Sequence, residues 1–182
     1  MKFTWYDTGF MKILLAGDQN GLRYLLFENG KQCRNGDAPQ DDWTEDSAAF
    51  TDVQCQLDEY FAGKRTTFDI RLSPAGTDFQ RRVWRALEDI PYGRTVSYAD
   101  IARQIGSPKA VRAVGAANGR NPISIVIPCH RVISSDGRLA GYGGGLMNKQ
   151  RLLELEGHSV SDSARDALSQ RQVHSEPEPA LF

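Results

Sequence analysis

Cysteine and histidine are scarce in this sequence of 182 residues, which holds three of each. An odd number of cysteines in a chain of this length argues against a disulfide framework, and we expect reduced thiols. No apolar run approaches the roughly 20 residues that a membrane-spanning helix needs. The first ten residues have no apolar core behind a basic end and do not resemble a secretory signal. These absences predict a cytoplasmic protein with no membrane partner.

Charge is unevenly distributed along the chain, although the net charge is only −1. Residues 72–157 hold 12 Lys and Arg against 7 Asp and Glu, whereas residues 1–71 hold 8 against 12. A basic block of this kind favours a polyanionic partner such as nucleic acid. A chance excess on a solvated face explains the charge equally well. The apolar fraction of 40% is that of a globular protein with a substantial core.

The first part of the chain predicts a small α/β unit. Strand-like runs on either side of an Asp-Gln-Asn-Gly turn favour a hairpin, an apolar stripe at helical spacing favours a helix, and alternation favours a further strand. A Ser-Pro-Ala-Gly segment at 73–76 predicts a linker, so we expect an N-terminal α/β domain over residues 1–72. The predicted elements are strands at 12–17 and 22–27, a helix at 44–61 and a strand at 68–72.

The next part of the chain predicts three helices. Thr77 with Gln80 and Ser97 with Asp100 form two capping boxes, each followed by apolar residues at helical spacing. A third predicted helix runs from Pro108 to about residue 118. The second and third helices, joined by a Gly-containing turn, are typical of a DNA-binding helix-turn-helix, although short helical hairpins also occur in proteins that bind no nucleic acid.

The third predicted helix carries alanine where a major-groove reader would carry polar side chains. Its non-core positions include Ala110, Ala113, Ala116 and Ala117, which cannot read base edges through side-chain hydrogen bonds. Such a slim face suits a narrow groove, and it equally suits packing against the rest of the domain. The residues alone leave both interpretations open.

The remaining motifs surround a Pro-Cys-His-Arg sequence at 128–131. The polar segment 159–182 is expected to be a disordered tail, so the second domain spans 73–158. The predicted elements are a buried strand at 123–127, a hairpin of 132–135 with 138–140 around an Asp-Gly turn, a glycine-rich loop at 141–145 and a helix from an Asn148 cap to Glu156.

Cys129 is the strongest candidate for chemistry, because His130 and Arg131 follow it at the end of the predicted strand. A thiol becomes a good nucleophile as a thiolate, which a nearby base or cation favours. Neighbouring side chains of a strand point to opposite faces, so contact with His130 needs a turn or a bridging water. An inert core cysteine is the common alternative and stays open. Cys33 and Cys55 resemble surface thiols without metal-ligand spacing, so we expect no metal site.

The motifs of the second domain closely resemble those of the O6-alkylguanine-DNA alkyltransferases. The resemblance covers roughly residues 75–158 and implies a ribonuclease H-like N-terminal unit beside a mainly α, winged-helix-like DNA-binding domain. It implies a single, irreversible transfer of an alkyl group from O6-alkylguanine in duplex DNA to the protein's own cysteine, with O4-alkylthymine as a second candidate lesion. The matching motifs are Asn-Pro-Ile at 121–123, Pro-Cys-His-Arg-Val at 128–132, Gly-Tyr-Gly-Gly-Gly at 141–145 and Leu-Leu-Glu-Leu-Glu-Gly-His at 152–158.

The resemblance implies roles in the transfer for five residues. Cys129 is the alkyl acceptor, and His130 removes the thiol proton through a water molecule. Glu156 orients His130 and balances its charge, although without the resemblance it reads as a solvated carboxylate at a helix end. Tyr98 helps to rotate the nucleotide and donates a proton toward the guanine leaving group. Asn121 is a hinge that ties the helix-turn-helix to the active-site strand.

The resemblance also implies the contacts with DNA and with the alkylated base. Arg112 enters the base stack in place of the flipped nucleotide. The slim face laid in the minor groove comprises Ala113, Ala116 and Ala117. The pocket for the alkylated base comprises Val132, Tyr142, Gly143 and Gly144.

Three functions are compatible with these residues. The first is a repair protein that consumes itself, uses no cofactor, works as a monomer without an obligate protein partner, and binds double-stranded DNA. The second is a protein that senses alkyl lesions without transferring the group, but the cysteine at position 129 argues against it. The third is a cysteine hydrolase built on Cys129 and His130, which has no use for a helix-turn-helix.

Overall fold

The N-terminal unit is built on a four-stranded mixed sheet. The computed structural model describes residues 1–31, 33, 39–139 and 141–158, so the predicted disordered tail, 159–182, lies outside the described residues. The strand order is β3-β2-β1-β4, with antiparallel pairing except between β1 and β4. The strands are β1 (Lys2–Asp7), β2 (Lys12–Asp18), β3 (Gly21–Phe27) and β4 (Thr44–Glu45).

The predicted hairpin is confirmed as β2 and β3, which pair from Ile13 opposite Phe27 to Asp18 opposite Gly21. Gly21 has a φ of 128°, a conformation that glycine adopts without strain, so the turn sequence fixes the register. The sequence analysis missed β1, whose mixed polar and aromatic residues give no clear alternation.

The helix predicted over residues 44–61 is shorter than expected. Helix α1 spans Thr51–Phe61, while Thr44 and Glu45 pair with β1 as strand β4. A 3-10 turn, Ser47–Phe50, lies between them, and the Asp46 side chain caps it. The backbone groups of Thr44 and Glu45 thus pair with the edge of β1, instead of forming the first turn of the predicted longer helix.

The strand predicted over residues 68–72 is wrong except for one bridge between Leu72 and Leu22. The side chain of Gln56 holds the backbone of this segment at Asp69. The Gln56 amide donates to the Asp69 carbonyl at 2.9 Å and accepts from the Asp69 N–H at 2.8 Å. These bonds replace the ladder of a neighbouring strand.

Four helices dominate the described residues that follow the linker. Both predicted capping boxes are confirmed, at Thr77 with Gln80 and at Ser97 with Asp100. The third predicted helix starts later than Pro108, because residues 107–110 form a turn in which the Ala110 N–H donates to the Ser107 carbonyl. The helices are α2 (Asp78–Glu88), α3 (Tyr98–Gln104), α4 (Val111–Gly119) and α5 (Leu146–Leu155).

The buried strand predicted over residues 123–127 is wrong. Only Ile123 forms a bridge, to Leu25, and Ile125 has a φ of 70°, which is unusual for a β-branched residue and incompatible with a strand. The segment is therefore a turn. It also joins the two parts of the chain, because the Ser124 N–H donates to the Leu25 carbonyl at 2.9 Å.

The predicted hairpin after Cys129 is partly correct. The turn at residues 134–138 is present, since the Ser134 N–H donates to the Arg138 carbonyl. Strand β6 (Val132–Ile133), however, pairs in parallel with β5 (Val96–Ser97), and Ala140 lies outside the described residues. Helix α5 begins at Leu146, and Asn148, the predicted cap, donates from its third position to the Gly144 carbonyl.

A single hydrophobic core unites α1, the sheet and α2 to α5. None of the helices in the described part of the chain is long and apolar enough to cross a membrane.

Candidate active site

Cys129 lies at the start of a 3-10 turn, Cys129–Arg131, rather than at the end of a strand. Its side chain is buried, with 3% of the residue exposed. By contrast, Cys55 is exposed and Cys33 half-buried. Of the three thiols, that of Cys129 is the buried one.

Two asparagines hold the Cys129 segment. Asn121 donates from Nδ2 to the Cys129 sulfur at 3.0 Å and to the Ile127 carbonyl at 2.8 Å, while its Oδ1 accepts from the Ile123 N–H at 3.0 Å. Asn118, at the end of α4, donates to the Cys129 carbonyl at 3.3 Å. Asn121 therefore fixes both the sulfur and the turn before it. The sequence analysis did not single out Asn118.

Burial raises the pKa of the Cys129 thiol above its ordinary value, while the Asn121 hydrogen bond acts in the opposite direction. Burial dominates because a thiolate loses more hydration than a thiol. The sulfur at rest therefore carries its proton and requires a base before it can act as a nucleophile.

His130 and Glu156 form a fully buried pair, with 2.9 Å between Nε2 and Oε1. Burial lowers the pKa of His130, although Glu156 opposes this. Burial would raise the pKa of Glu156, but hydrogen bonds from His130 and Arg131 outweigh it and hold that pKa far below its usual range. The carboxylate thus accepts from Nε2, so the neutral imidazole presents Nδ1 as its acceptor. Nδ1 is buried without a hydrogen-bond partner among the described residues.

Arg131 clamps Glu156 from a second direction. Its Nε donates to Oε2 and its Nη2 to Oε1, both at 2.9 Å, and its Nη1 donates to the Ile90 carbonyl at 2.6 Å. The Tyr60 hydroxyl donates to Oε1 at 2.8 Å, and the Gly93 N–H to Oε2 at 3.2 Å. Arg131 was predicted only as a cation near the thiol, and Tyr60 was not predicted as a site residue. Neither contact has a local sequence signal, because the partners are distant in the chain.

Lys149 is a second residue that the sequence analysis missed. Its side chain is fully buried and donates from Nζ to the Val132 carbonyl at 2.6 Å. Burial lowers its pKa to about 8, against the opposing influence of Cys129. A signal was present, because Lys149 precedes the buried Leu152 and Leu153 by three and four positions and so shares their face of α5.

Tyr98 begins α3 directly after β5, and the pairing of β5 with β6 brings it beside the Cys129 turn. Burial, and secondarily Cys129, raise the pKa of Tyr98 to about 12, so its hydroxyl keeps its proton at neutral pH. The tyrosine ring packs close to α4, since a Cβ at Gly115 would lie 3.8 Å from it.

The outer face of α4 carries Arg112, Ala113 and Ala116, all exposed. Ala117 does not share this face, because it is only 2% exposed and its carbonyl accepts from the Trp84 indole N–H at 2.9 Å. The expectation that Ala117 forms part of the slim groove-facing surface is therefore corrected. Ala113 and Ala116 are exposed on α4, whereas Ala117 belongs to the core.

A cleft of about 620 Å³ opens beside α4 and the glycine-rich loop. Tyr142 and Gly143, two of the predicted pocket residues, line it together with Gly115 and Ala116. Gly144 does not line the cleft. It packs against Phe27, since a Cβ on Gly144 would come within 2.2 Å of the Phe27 ring. Val132 is fully buried and contributes its carbonyl to Lys149.

Two family models together cover most of the chain. The 6-O-methylguanine DNA methyltransferase ribonuclease-like domain matches residues 1–74, and the DNA binding domain of the same name matches residues 78–158. The chain belongs to the 6-O-methylguanine DNA methyltransferase family. The expected architecture, an N-terminal ribonuclease-like unit followed by a helical DNA-binding unit, is confirmed.

Individual relatives agree with the family assignment. The chain is 50% identical to a methylated-DNA–protein-cysteine methyltransferase of Methanosarcina acetivorans over 157 residues, which are 86% of this chain and 99% of that protein. It is 63% identical over 114 residues to the protein of that name from Mycolicibacterium paratuberculosis, covering 63% of this chain and 69% of the relative. The crystal structure of Mycobacterium tuberculosis OGT in complex with DNA is similar at a TM-score of 0.79 and 48% identity, over 86% of this chain and 92% of that one.

Proposed function

We propose that the protein repairs O6-alkylguanine in duplex DNA by moving the alkyl group onto Cys129. The observation that carries this proposal is the buried Cys129 thiol, hydrogen-bonded by Asn121 and followed directly by the His130–Glu156 pair. A family that transfers methyl groups from guanine needs such an activated sulfur in a site that excludes water.

The thiol proton goes to Nδ1 of His130, through a water molecule. This nitrogen is the free acceptor of an imidazole whose other nitrogen is bonded to an ionised Glu156. The thiolate then attacks the alkyl carbon, a carbon–sulfur bond forms, and the bond to O6 breaks with its electron pair moving into the guanine. Lys149, buried near the sulfur, stabilises the thiolate electrostatically.

Tyr98 serves the leaving group. Its hydroxyl is protonated and half-buried at the start of α3. From there it donates its proton toward the departing guanine base, which otherwise leaves as an anion. The product is a thioether and an intact guanine, and each protein molecule reacts once because a thioether has no leaving group to return.

The outer face of α4 is the surface for the minor groove. Ala113 and Ala116 are small enough for close approach, and Arg112 beside them fills the space that the flipped nucleotide leaves in the stack. The flipped base packs against Tyr142 and Gly143 of the glycine-rich loop. These two residues also line the adjacent cleft, whose lining does not include Cys129. This face reads no sequence, so affinity comes from phosphates and falls steeply with salt.

The proposed organisation is a domain over residues 1–72, a linker, and a DNA-binding and alkyl-accepting domain over 73–158. The protein works as a monomer on double-stranded DNA that contains the lesion, without a cofactor or an obligate protein partner. O4-alkylthymine is the second candidate lesion.

Peptide mapping tests the proposal. The protein is incubated with duplex DNA containing O6-methylguanine, digested, and analysed by mass spectrometry. We expect one added methyl group on the peptide that carries Cys129. The variant Cys129→Ala should lose transfer and keep DNA binding, whereas Cys55→Ala should keep both. Methylation of Cys33 or Cys55 would refute the assignment, and loss of DNA binding by Cys129→Ala would make the thiol structural.

A further inference from the structure

A buried hydroxyl of the N-terminal unit bonds to the carboxylate that holds His130. Tyr60 lies near the end of α1 and is 0% exposed, and its hydroxyl donates to Glu156 Oε1 across 96 positions of sequence. Helix α1 contributes no residue to the thiol, the cleft or the exposed face of α4 described above. The Tyr60 hydroxyl thus connects α1 to the carboxylate that holds His130.

Packing explains the ring of Tyr60 but not its hydroxyl. The ring makes aromatic contacts with Phe61 and Phe68 at centroid distances of 5.4 Å and with Tyr92 at 6.1 Å. A phenylalanine would make the same contacts. The hydroxyl has Glu156 as its partner, at 2.8 Å, and in a buried site a polar group is retained at a cost unless it is paired.

The hydrogen-bond donors around Glu156 show which carboxylate oxygen the Tyr60 hydroxyl affects. Oε2 accepts from Arg131 Nε and the Gly93 N–H, and Oε1 accepts from Arg131 Nη2, His130 Nε2 and Tyr60. Arg131 fixes the plane of the carboxylate. The Tyr60 hydroxyl shares with His130 the oxygen that orients the imidazole, so it limits how much negative charge that oxygen offers to Nε2.

We infer that Tyr60 is a positioning residue of the alkyl transfer, supplied by the N-terminal unit, which acts through Glu156 to hold His130 as a neutral base aimed at the Cys129 thiol. This inference rests on the proposed function. It assigns the ribonuclease-like unit a part in the chemistry as well as in the fold.

The inference predicts a particular kinetic signature for Tyr60→Phe, which keeps the ring and removes the hydroxyl. Oε1 then offers more negative charge to His130, and the imidazole holds a proton up to a higher pH. The other charged or titratable groups facing the pair, namely Arg131, Lys149 and Tyr92, are unchanged. We expect the acid side of the rate profile to move to higher pH, so that transfer on this acid limb slows about three- to tenfold, while the rate at neutral pH changes little.

The experiment compares wild-type protein, Tyr60→Phe and Tyr6→Phe in their reaction with free O6-benzylguanine and with lesion duplex. Tyr6 is a matched control, because its hydroxyl donates at 2.5 Å to a different carboxylate, that of Asp58 on α1, the helix that carries Tyr60. On the acid limb, Tyr60→Phe should slow the reaction with both substrates by the same factor and leave DNA affinity unchanged, and Tyr6→Phe should change neither the rate nor the affinity. An acid limb that stays in place, with or without a slower rate at neutral pH, would overturn the inference.

A second substitution keeps the test decisive if Tyr60→Phe fails to fold. Incorporation of 3-fluorotyrosine at position 60 retains the ring and makes the phenol a stronger donor, so the acid limb should move to lower pH. A limb that stays in place or moves upward would contradict the inference. Failure of the wild-type protein to react with either substrate would instead count against the proposed function itself.

Discussion

Nδ2 of Asn121 lies 3.0 Å from the sulfur of Cys129, although the two residues are eight positions apart and a turn, not a strand, joins them. The same nitrogen donates to the Ile127 carbonyl at 2.8 Å. One amide group thus defines both the position of the nucleophile and the shape of the segment that carries it.

Asn121→Asp should slow transfer at least about tenfold, because a carboxylate cannot donate to the sulfur and its charge opposes thiolate formation. The second-order rate constant with free O6-benzylguanine measures this without requiring DNA. Asn148→Asp on α5, whose amide donates to the Gly144 carbonyl, serves as a control and should react within about twofold of wild type. Equal rates for the two variants would show that the Asn121 contact is not needed.

Arg112→Ala should slow repair of duplex DNA far more than reaction with the free base. The residue is exposed on α4 and acts only when a nucleotide must leave the stack. We expect a loss of about tenfold or more on lesion duplex and almost none on O6-benzylguanine. Equal slowing of both substrates would place Arg112 in the chemistry instead of in nucleotide flipping.

The pH dependence should reflect the depressed pKa of His130. Because burial lowers this pKa, the imidazole stays neutral below the ordinary value of about 6.5, and the transfer rate should hold until the pH is well below it. The unfolded chain binds protons more readily at both His130 and Glu156, so the free energy of unfolding should also fall as the pH is lowered. Rate measurements and urea titrations from pH 4 to 8 test both effects. An acid limb centred at or above 6.5 would contradict a buried neutral base.

Gly144→Ala should destabilise the protein by about 1–3 kcal/mol, because the new Cβ would meet the Phe27 ring at 2.2 Å and the Tyr142 ring at 2.8 Å. Urea unfolding provides the measurement. Gly141→Ala is the control, since a Cβ there meets nothing within 4 Å. Equal stability of the two variants would mean that the loop shifts freely away from Phe27.

Local signals predicted the parts of the fold that local chemistry determines. The capping boxes at Thr77 and Ser97 and the hairpin turn ending at Gly21 depend on neighbours a few residues away, and the structure has all three. The strand at 123–127 failed because Asn121 bonds to backbone groups that a strand would have used. A side chain that competes for backbone groups leaves no trace in hydrophobic periodicity.

The candidate site was predictable where a motif carries it and hidden where the fold assembles it. Cys129 and His130 stand together in the sequence, whereas Tyr60 meets Glu156 only after the two units pack. Lys149 lay within reach of sequence reasoning, because its position on the apolar face of α5 marks a buried charge. Ala117 was wrongly predicted to lie on the exposed face of α4, because its alanine neighbours give no local signal that it is buried in the core.

Cys129 should be consumed by the repair of a single lesion. Intact-mass spectrometry after incubation with a several-fold excess of O6-methylguanine duplex measures this, with repaired guanine counted in the same sample. We expect repaired bases and methylated protein molecules to rise together and stop at one per chain. Continued repair after every thiol is methylated, or repair with unmodified Cys129, would contradict the account.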